Sequence, residues 1–409
     1  MLDLLYLAAL NTLRNSRRSA ITVLSIAVGC AALASFGAFI NFTFEGLRET
    51  TIRTQLGHMQ IYADGYWANH VADPGSVLIH NATELETALE KIDGVSSVTH
   101  RLSFSGIGGV GNATVNMSVI GVDPARESEF ADFEIVVSGR NLLPGDTETG
   151  VIGQELARGI GAKIGDWVTV MTTSLSGVIN AVDFQIVGIV RTSSVEYDQV
   201  FVKVPIGLTQ RALETDAVER VVVMLAETDT LPDLRPQIEH AIAALSEHYE
   251  IRQWDELAGF YEAVVALYSG LFKIFTGIVA VVVMFSVANT MTMAVFERMS
   301  ETGALRAIGA YQSTMVSMFL YEGLFIGLLG GLVGVILALA VAFGVDLVGG
   351  ISMPPPPSMS QGYQAYFLMT PLVLARAFAI AVAAALVSSI YPAWVASWAN
   401  IVEALQKPC

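Results

Sequence analysis

The sequence predicts a membrane protein: four transmembrane α-helices with a large α+β domain inserted between helices 1 and 2. Three observations predict it. The chain of 409 residues is 53% hydrophobic and only 15% charged, too apolar for an ordinary soluble protein. Four stretches are free of Asp, Glu, Lys and Arg for 23 to 26 residues each: Ser19–Phe44, Ile274–Phe296, Gly323–Val345 and Ala377–Val402. Each exceeds the roughly 20 apolar residues that a helix needs to cross a bilayer. The charge, finally, is segregated. Thr43–Tyr268 holds 32 acids and 14 bases, a net −18, while the remainder holds 6 acids and 8 bases, a net +2. The acidity therefore belongs to one polar domain, which argues against nucleic acid as a partner.

Residues 1–18 alternate apolar and polar positions at near-helical spacing, with Arg14, Arg17 and Arg18 at the end. They read as a cytoplasmic interfacial helix or as a frayed tail. Residues 19–44 are the first span. The basic run, the apolar stretch and Cys30 also have the outline of a lipoprotein signal. The apolar run continues past Cys30 and Ala27-Val28-Gly29 matches such a signal poorly, so a span is the better reading.

Residues 45–266 form the polar domain. Glu45 and Arg48 extend the first span into water. Strands are expected at 57–62, 95–98, 114–122, 135–137, 184–190, 200–204 and 221–225, those at 184–190 and 200–204 from alternating apolar positions, and 165–170 reads as a turn into a strand. Helices are expected over 81–92, capped by Thr83, and over 154–158 and 234–245. A length of about 220 residues allows a second subdomain, placed at 123–183. Trp254–Lys273 has helical spacing, so the second span, 267–296, reads as a long helix whose outer turns stand in water.

Residues 297–313 are charged and short, and residues 314–345 are the third span. Residues 346–370 carry no Lys or Arg and hold the stiff run Pro354–Pro357, a spacer or a gate. The fourth span is 371–398 and a cytoplasmic tail follows at 399–409. Basic residues flank the spans at 14–18, at Arg298 and Arg306, and at Lys407, so the positive-inside rule puts both termini and the 297–313 segment in the cytoplasm. The acidic domain and the proline loop then lie outside.

Chemistry-bearing motifs are few. No phosphate-cradling glycine loop followed by Lys and Ser or Thr occurs, nor a zinc or nucleophile motif, and the six histidines have no ligand spacing. The two cysteines, Cys30 and Cys409, support no disulfide framework. The chain is not expected to be an enzyme, and it needs no metal or cofactor of its own. Gly323, Gly327, Gly330, Gly331 and Gly334 recur at the spacing that lets helices approach closely in lipid, within one chain or between two. Glu322, near the cytoplasmic end of the third span, is expected to cap or pair.

ERMSETGALRAIGAYQSTMVSMFLYEGLFIGLLGGLVG, from Glu297 to Gly334, resembles the second-to-third span signature of bacterial ABC transporter permeases of the FtsX, MacB and LolC/LolE type. ALNTLRNSRRSAITVLSIAVG resembles their first-span entry. QELARGIGAKIGDW and FQIVGIV resemble their periplasmic core, and YPAWVASWANIVEAL their C-terminal segment. Asn400-Ile401 departs from the Asp-Pro often found there. The resemblance implies a multi-pass protein of the bacterial inner membrane with its large domain in the periplasm. It implies two separate ATPase subunits that bind ATP and Mg, and a second permease copy or a sister permease. Glu297, Arg298, Glu301, Gly303, Arg306 and Gly309 would then form a coupling helix against the ATPase. GHMQIYADGYW, Gly57–Trp67, lies nearer the lipoprotein-release branch than the drug-efflux branch. That implies extraction of lipoprotein or lipid toward a periplasmic carrier or adaptor, the alternatives being tripartite efflux or mechanical activation of a hydrolase. An apolar substrate groove between spans one and two of paired subunits would draw on Phe36, Phe39, Ile40 and Phe42 of the first span and Leu267, Leu271 and Phe275 of the second; ordinary lipid-facing side chains are the plainer account.

Overall fold

A computed structural model of the chain describes residues 16–111, 113–127, 134–192, 195–245, 247–354 and 362–398. Most of the expected interfacial helix, most of the proline run and the whole tail lie outside the described residues. The chain divides into two compact units, one of helices and one built on a sheet.

The helical unit holds four long helices: α1 (Ser16–Thr51), α6 (Gly259–Glu297), α8 (Gln312–Val348) and α9 (Pro371–Trp398). Even α9, at 28 residues, is about 42 Å long at 1.5 Å per residue, more than the hydrocarbon core of roughly 30 Å. All four are long and apolar enough to cross a membrane. α1 and α6 pack antiparallel. Arg18 pairs with Glu297 at 2.8 Å, Thr22 Oγ1 donates to Thr290 Oγ1 at 2.8 Å, and Phe36 meets Phe275 edge-on at 4.8 Å. The buried core between the helices is made largely of small residues, among them Cys30, Ala31, Ala34, Ala381 and Ala385. Small side chains suit an interface between apolar helices, where close backbone approach replaces the hydrophobic drive found in water.

The other unit is built on a ten-stranded sheet, counted among the described residues. Its strands are β1 (Met59–Ala63), β2 (Val95–Val110), β3 (Ala113–Val122), β4 (Ile135–Gly139), β5 (Thr149–Gly153), β6 (Trp167–Thr173), β7 (Ile179–Arg191), β8 (Phe201–Pro205), β9 (Arg220–Leu225) and β10 (Tyr249–Gln253). The order is β10-β1-β9-β2-β3-β8-β5-β7-β4, with β6 against β2 and β7. The β3–β8 and β5–β7 pairs are parallel. One hydrophobic cluster gathers β1, β9 and the start of β2 beneath α2 (Ala82–Leu89) and α5 (Leu231–Ala243). A second draws on residues from Leu102 to Leu213, with α3 (Gln154–Ile160) and α4 (Ile206–Leu213) covering it. That span is wider than the 123–183 expected for a subdomain.

Three local expectations are corrected. β2 runs twelve residues past the predicted Val98, through Gly106, Gly108 and Gly109. They are strand residues under close backbone: a Cβ on Gly106 would lie 2.6 Å from the Met171 carbonyl oxygen, and one on Gly108 2.9 Å from that of Thr169. Thr83 does not cap α2, which starts at Ala82 after Asn81. The helix expected over Trp254–Lys273 is broken at Ala258, whose φ −91 and ψ 56 are not helical.

Candidate coupling site and helix interface

The charged segment after α6 folds as α7 (Met299–Ala307). Its two ends are built differently. At the start, Arg298 N–H reaches the carbonyls of Ala294 and Val295, and Thr302 Oγ1 donates back to the Arg298 carbonyl at 2.8 Å. The Arg298 guanidinium turns inward, and its Nη1 donates to Glu322 Oε2 on α8 at 3.2 Å. At the far end Gly309 takes φ +106, a conformation that side-chain-bearing residues rarely adopt, and lets Ala310 N–H reach the Leu305 carbonyl.

The six residues proposed for coupling therefore do not share one surface. Glu297 closes α6 and pairs with Arg18. Arg298 and Gly303 are buried, and the buried guanidinium is committed to its carboxylate. Glu301 and Gly309 are exposed and Arg306 is half-buried. Two residues that sequence reasoning missed, Leu305 and Ile308, are exposed, Ile308 by 86%. Glu301, Leu305 and Ile308 stand at i, i+4 and i+7, one face of the helical stretch. That spacing was available in the sequence; the charges drew attention away from it.

The five glycines of α8 form two rows. A Cβ on Gly323, Gly327 or Gly331 would meet Ser389, Ala385 or Phe378 of α9 at 2.0, 2.9 and 2.7 Å. A Cβ on Gly330 or Gly334 would meet Ile26 or Cys30 of α1 at 2.7 and 2.6 Å. One residue type at four-residue spacing thus seats two different helices of the same chain.

The residues named for the groove lie in different surroundings. Phe36 contacts both Phe272 and Phe275. Leu267 and Leu271 are exposed, by 60% and 47%, and Phe39 is half-buried. Phe42 instead packs edge-on against Tyr366 at 5.7 Å. Ile40 is 6% exposed and is not available to a ligand, because it lies on the inner side of α1.

A family model described as the MacB-like periplasmic core domain matches residues 19–241, more than half of the chain, and one described as the FtsX-like permease C-terminal matches residues 273–401. The chain belongs to the MacB- and FtsX-like family of ABC transporter permeases. Among its relatives is the lipoprotein-releasing system transmembrane protein LolC of Neisseria meningitidis, 26% identical over 238 residues, which are 56% of each chain. The corresponding LolE of Haemophilus influenzae is 22% identical over 389 residues, 91% of this permease and 90% of that protein. The permease thus spans little more than half the length of the LolC relative and most of the LolE one. The periplasmic region of MacB from Actinobacillus actinomycetemcomitans is 18% identical, covers 52% of this permease and 95% of that chain, and superposes with a TM-score of 0.35. The permease is a multi-pass membrane protein: its four long helices and both family matches agree on that.

Proposed function

We propose that this permease takes up motion from ATPase subunits at α7 and delivers it to the sheet domain in the periplasm, extracting lipoprotein or lipid from the inner membrane. The observation that carries the reading is the build of α7. Its outer face mixes an acid with two large apolar side chains, Glu301, Leu305 and Ile308. Its base is anchored inside the helical unit by Arg298 and Glu322. A protruding apolar and charged face on a fixed root is what a soluble partner can push without the helix sliding. The basic flanks assign that end to the cytoplasm and the sheet domain to the far side.

ATP and Mg belong in this account to the separate ATPase subunits, two of them, bound to a pair of permease chains. The lipoprotein branch is preferred because the LolE relative aligns over nearly the full length. The MacB-like match over 19–241 favours, as second reading, efflux of periplasmic molecules through an adaptor.

Copurification from native membranes, with mass spectrometry of bound protein and lipid, tests both. An ATPase subunit and acylated protein or lipid are expected with the unaltered chain. The double variant Glu301→Lys, Leu305→Asp should lose the ATPase by about tenfold or more. Retention of the ATPase by that variant would sink the coupling role; recovery of an adaptor in place of lipoprotein would favour efflux.

A further inference from the structure

The sheet unit carries a cavity of about 330 Å³ that the coupling reading does not use. At ~30 Å³ per water molecule it holds roughly ten of them. Its wall includes four cations, Arg101, Arg191, Lys203 and Arg220, and two carboxylates, Glu127 and Glu134. The lining is thus net +2 inside a domain of net −18. Glu219, outside the lining but bonded to Arg220 at 2.5 Å, lowers the local balance to +1.

The cations are not equally committed. Arg101 donates to Glu127 at 2.5 Å and Lys203 pairs with Glu134. Arg191 spends its Nε on Gln154 Oε1, at 2.8 Å, and its two terminal nitrogens have no hydrogen-bond partner among the described residues. Arg220 gives one terminal nitrogen to Glu219, and its other terminal nitrogen has no hydrogen-bond partner among the described residues. A buried guanidinium N–H without an acceptor costs free energy that ordered solvent or an anion recovers. Both arginines come from sheet strands, β7 and β9, so their positions are held by the ladder.

We propose that this cavity is an anion site for a small phosphate dianion, free or as a monoester, held by the free terminal guanidinium N–H groups of Arg191 and Arg220. A phosphate monoester carries about −1.5 to −2 charges at neutral pH, close to the surplus of the lining. Guanidinium groups suit it through parallel N–H donors to adjacent oxygens. The Lys203–Glu134 and Arg101–Glu127 pairs frame the site and set its charge. A phosphomonoester lipid headgroup and a free phosphate share this chemistry.

Isothermal titration of the full chain in detergent, with inorganic phosphate and separately with glycerol 3-phosphate, tests the site. Saturable binding is expected, weakened about tenfold or more in Arg191→Gln and in Arg220→Gln. Arg140→Gln is the control, because Arg140 is not part of the lining and pairs with Asp146. Its affinity should equal that of the unaltered chain. Arg191 is half-buried, so Arg191→Gln is the variant to read should Arg220→Gln fail to fold. Tighter binding of glycerol 3-phosphate assigns the headgroup source, and tighter binding of inorganic phosphate the free ion. Absence of saturable binding of both probes up to tens of millimolar overturns the proposal, as does unchanged affinity in a folded Arg191→Gln. The cavity ion pairs are then purely structural.

Discussion

Arg298 and Glu322 form an ion pair at 3.2 Å, with each side chain 5% exposed. They are 24 positions apart and belong to opposite sides of the α7 turn. Removing one partner from such a pair strands a buried charge, at about 3–5 kcal/mol, whereas replacing both with apolar groups is often neutral. Glu322→Leu and Arg298→Met should each lower the thermal midpoint in detergent sharply, and the double variant should recover most of the loss. If the double variant is as unstable as the worse single one, the pair is not what anchors α7.

The two glycine rows predict a position-specific response to bulk. Gly327→Leu and Gly334→Leu force side chains into Ala385 and into Cys30 with the Ala27 carbonyl, and overpacking of this kind costs about 1–3 kcal/mol or more. Gly344, on the same helix, has nothing within 4 Å of its Cβ direction. Gly344→Leu should leave the melting temperature unchanged. Equal effects at all three positions would mean that helix propensity, not packing, sets the result.

His58 links stability to pH. It is fully buried, its Nδ1 accepts from Leu225 N–H at 3.0 Å, and Nε2 therefore donates to Thr228 Oγ1. Burial, aided by Arg53, pulls its pKa from 6.5 down to about 4. The folded chain thus holds a neutral imidazole that an unfolded chain protonates below pH 6.5. Stability from this group is unchanged above that pH and falls as pH drops from about 6.5 to about 4, by roughly 3 kcal/mol in all. Thermal midpoints at pH 7.5 and 5 measure it. His58→Gln should flatten the difference; a steeper slope in that variant would contradict the assignment.

The candidate groove makes a further prediction. Leu271→Asp puts a charge on an exposed apolar position of α6 beside the Phe36–Phe275 contact. Acyl-bearing molecules recovered with the protein should fall by about tenfold, with the ATPase still attached. Unaltered lipid recovery would make Leu271 an ordinary lipid-facing residue.

Much of the fold was legible from local pattern. Spans of uncharged residues mark α1, α6, α8 and α9 because bilayer thickness imposes a length that composition alone can meet. Short apolar or alternating runs mark β3, β8 and β9; β8 and β9 are buried along almost their whole length. β10 and the far half of β2 escaped because their residues look polar or glycine-rich; pairing with β1 makes β10 regular, and pairing with neighbouring β3 and distant β6 does so for β2. Of the candidate site, the helix and its charges were legible; the inward turn of Arg298 was not, since it depends on where α8 passes.

The sequence by itself determined that four helices are apolar enough to cross a membrane, that the acidity sits in one domain, and that glycines line the third helix. These are properties of composition and spacing. Tertiary structure alone decided which glycine row meets α9 and which meets α1, that Arg298 is an anchor while Leu305 and Ile308 face outward, and that four cations from separate strands converge on one cavity in an acidic domain. Those facts depend on contacts between residues far apart in the chain, and close packing, not local preference, selects among the partners that each side chain could have had.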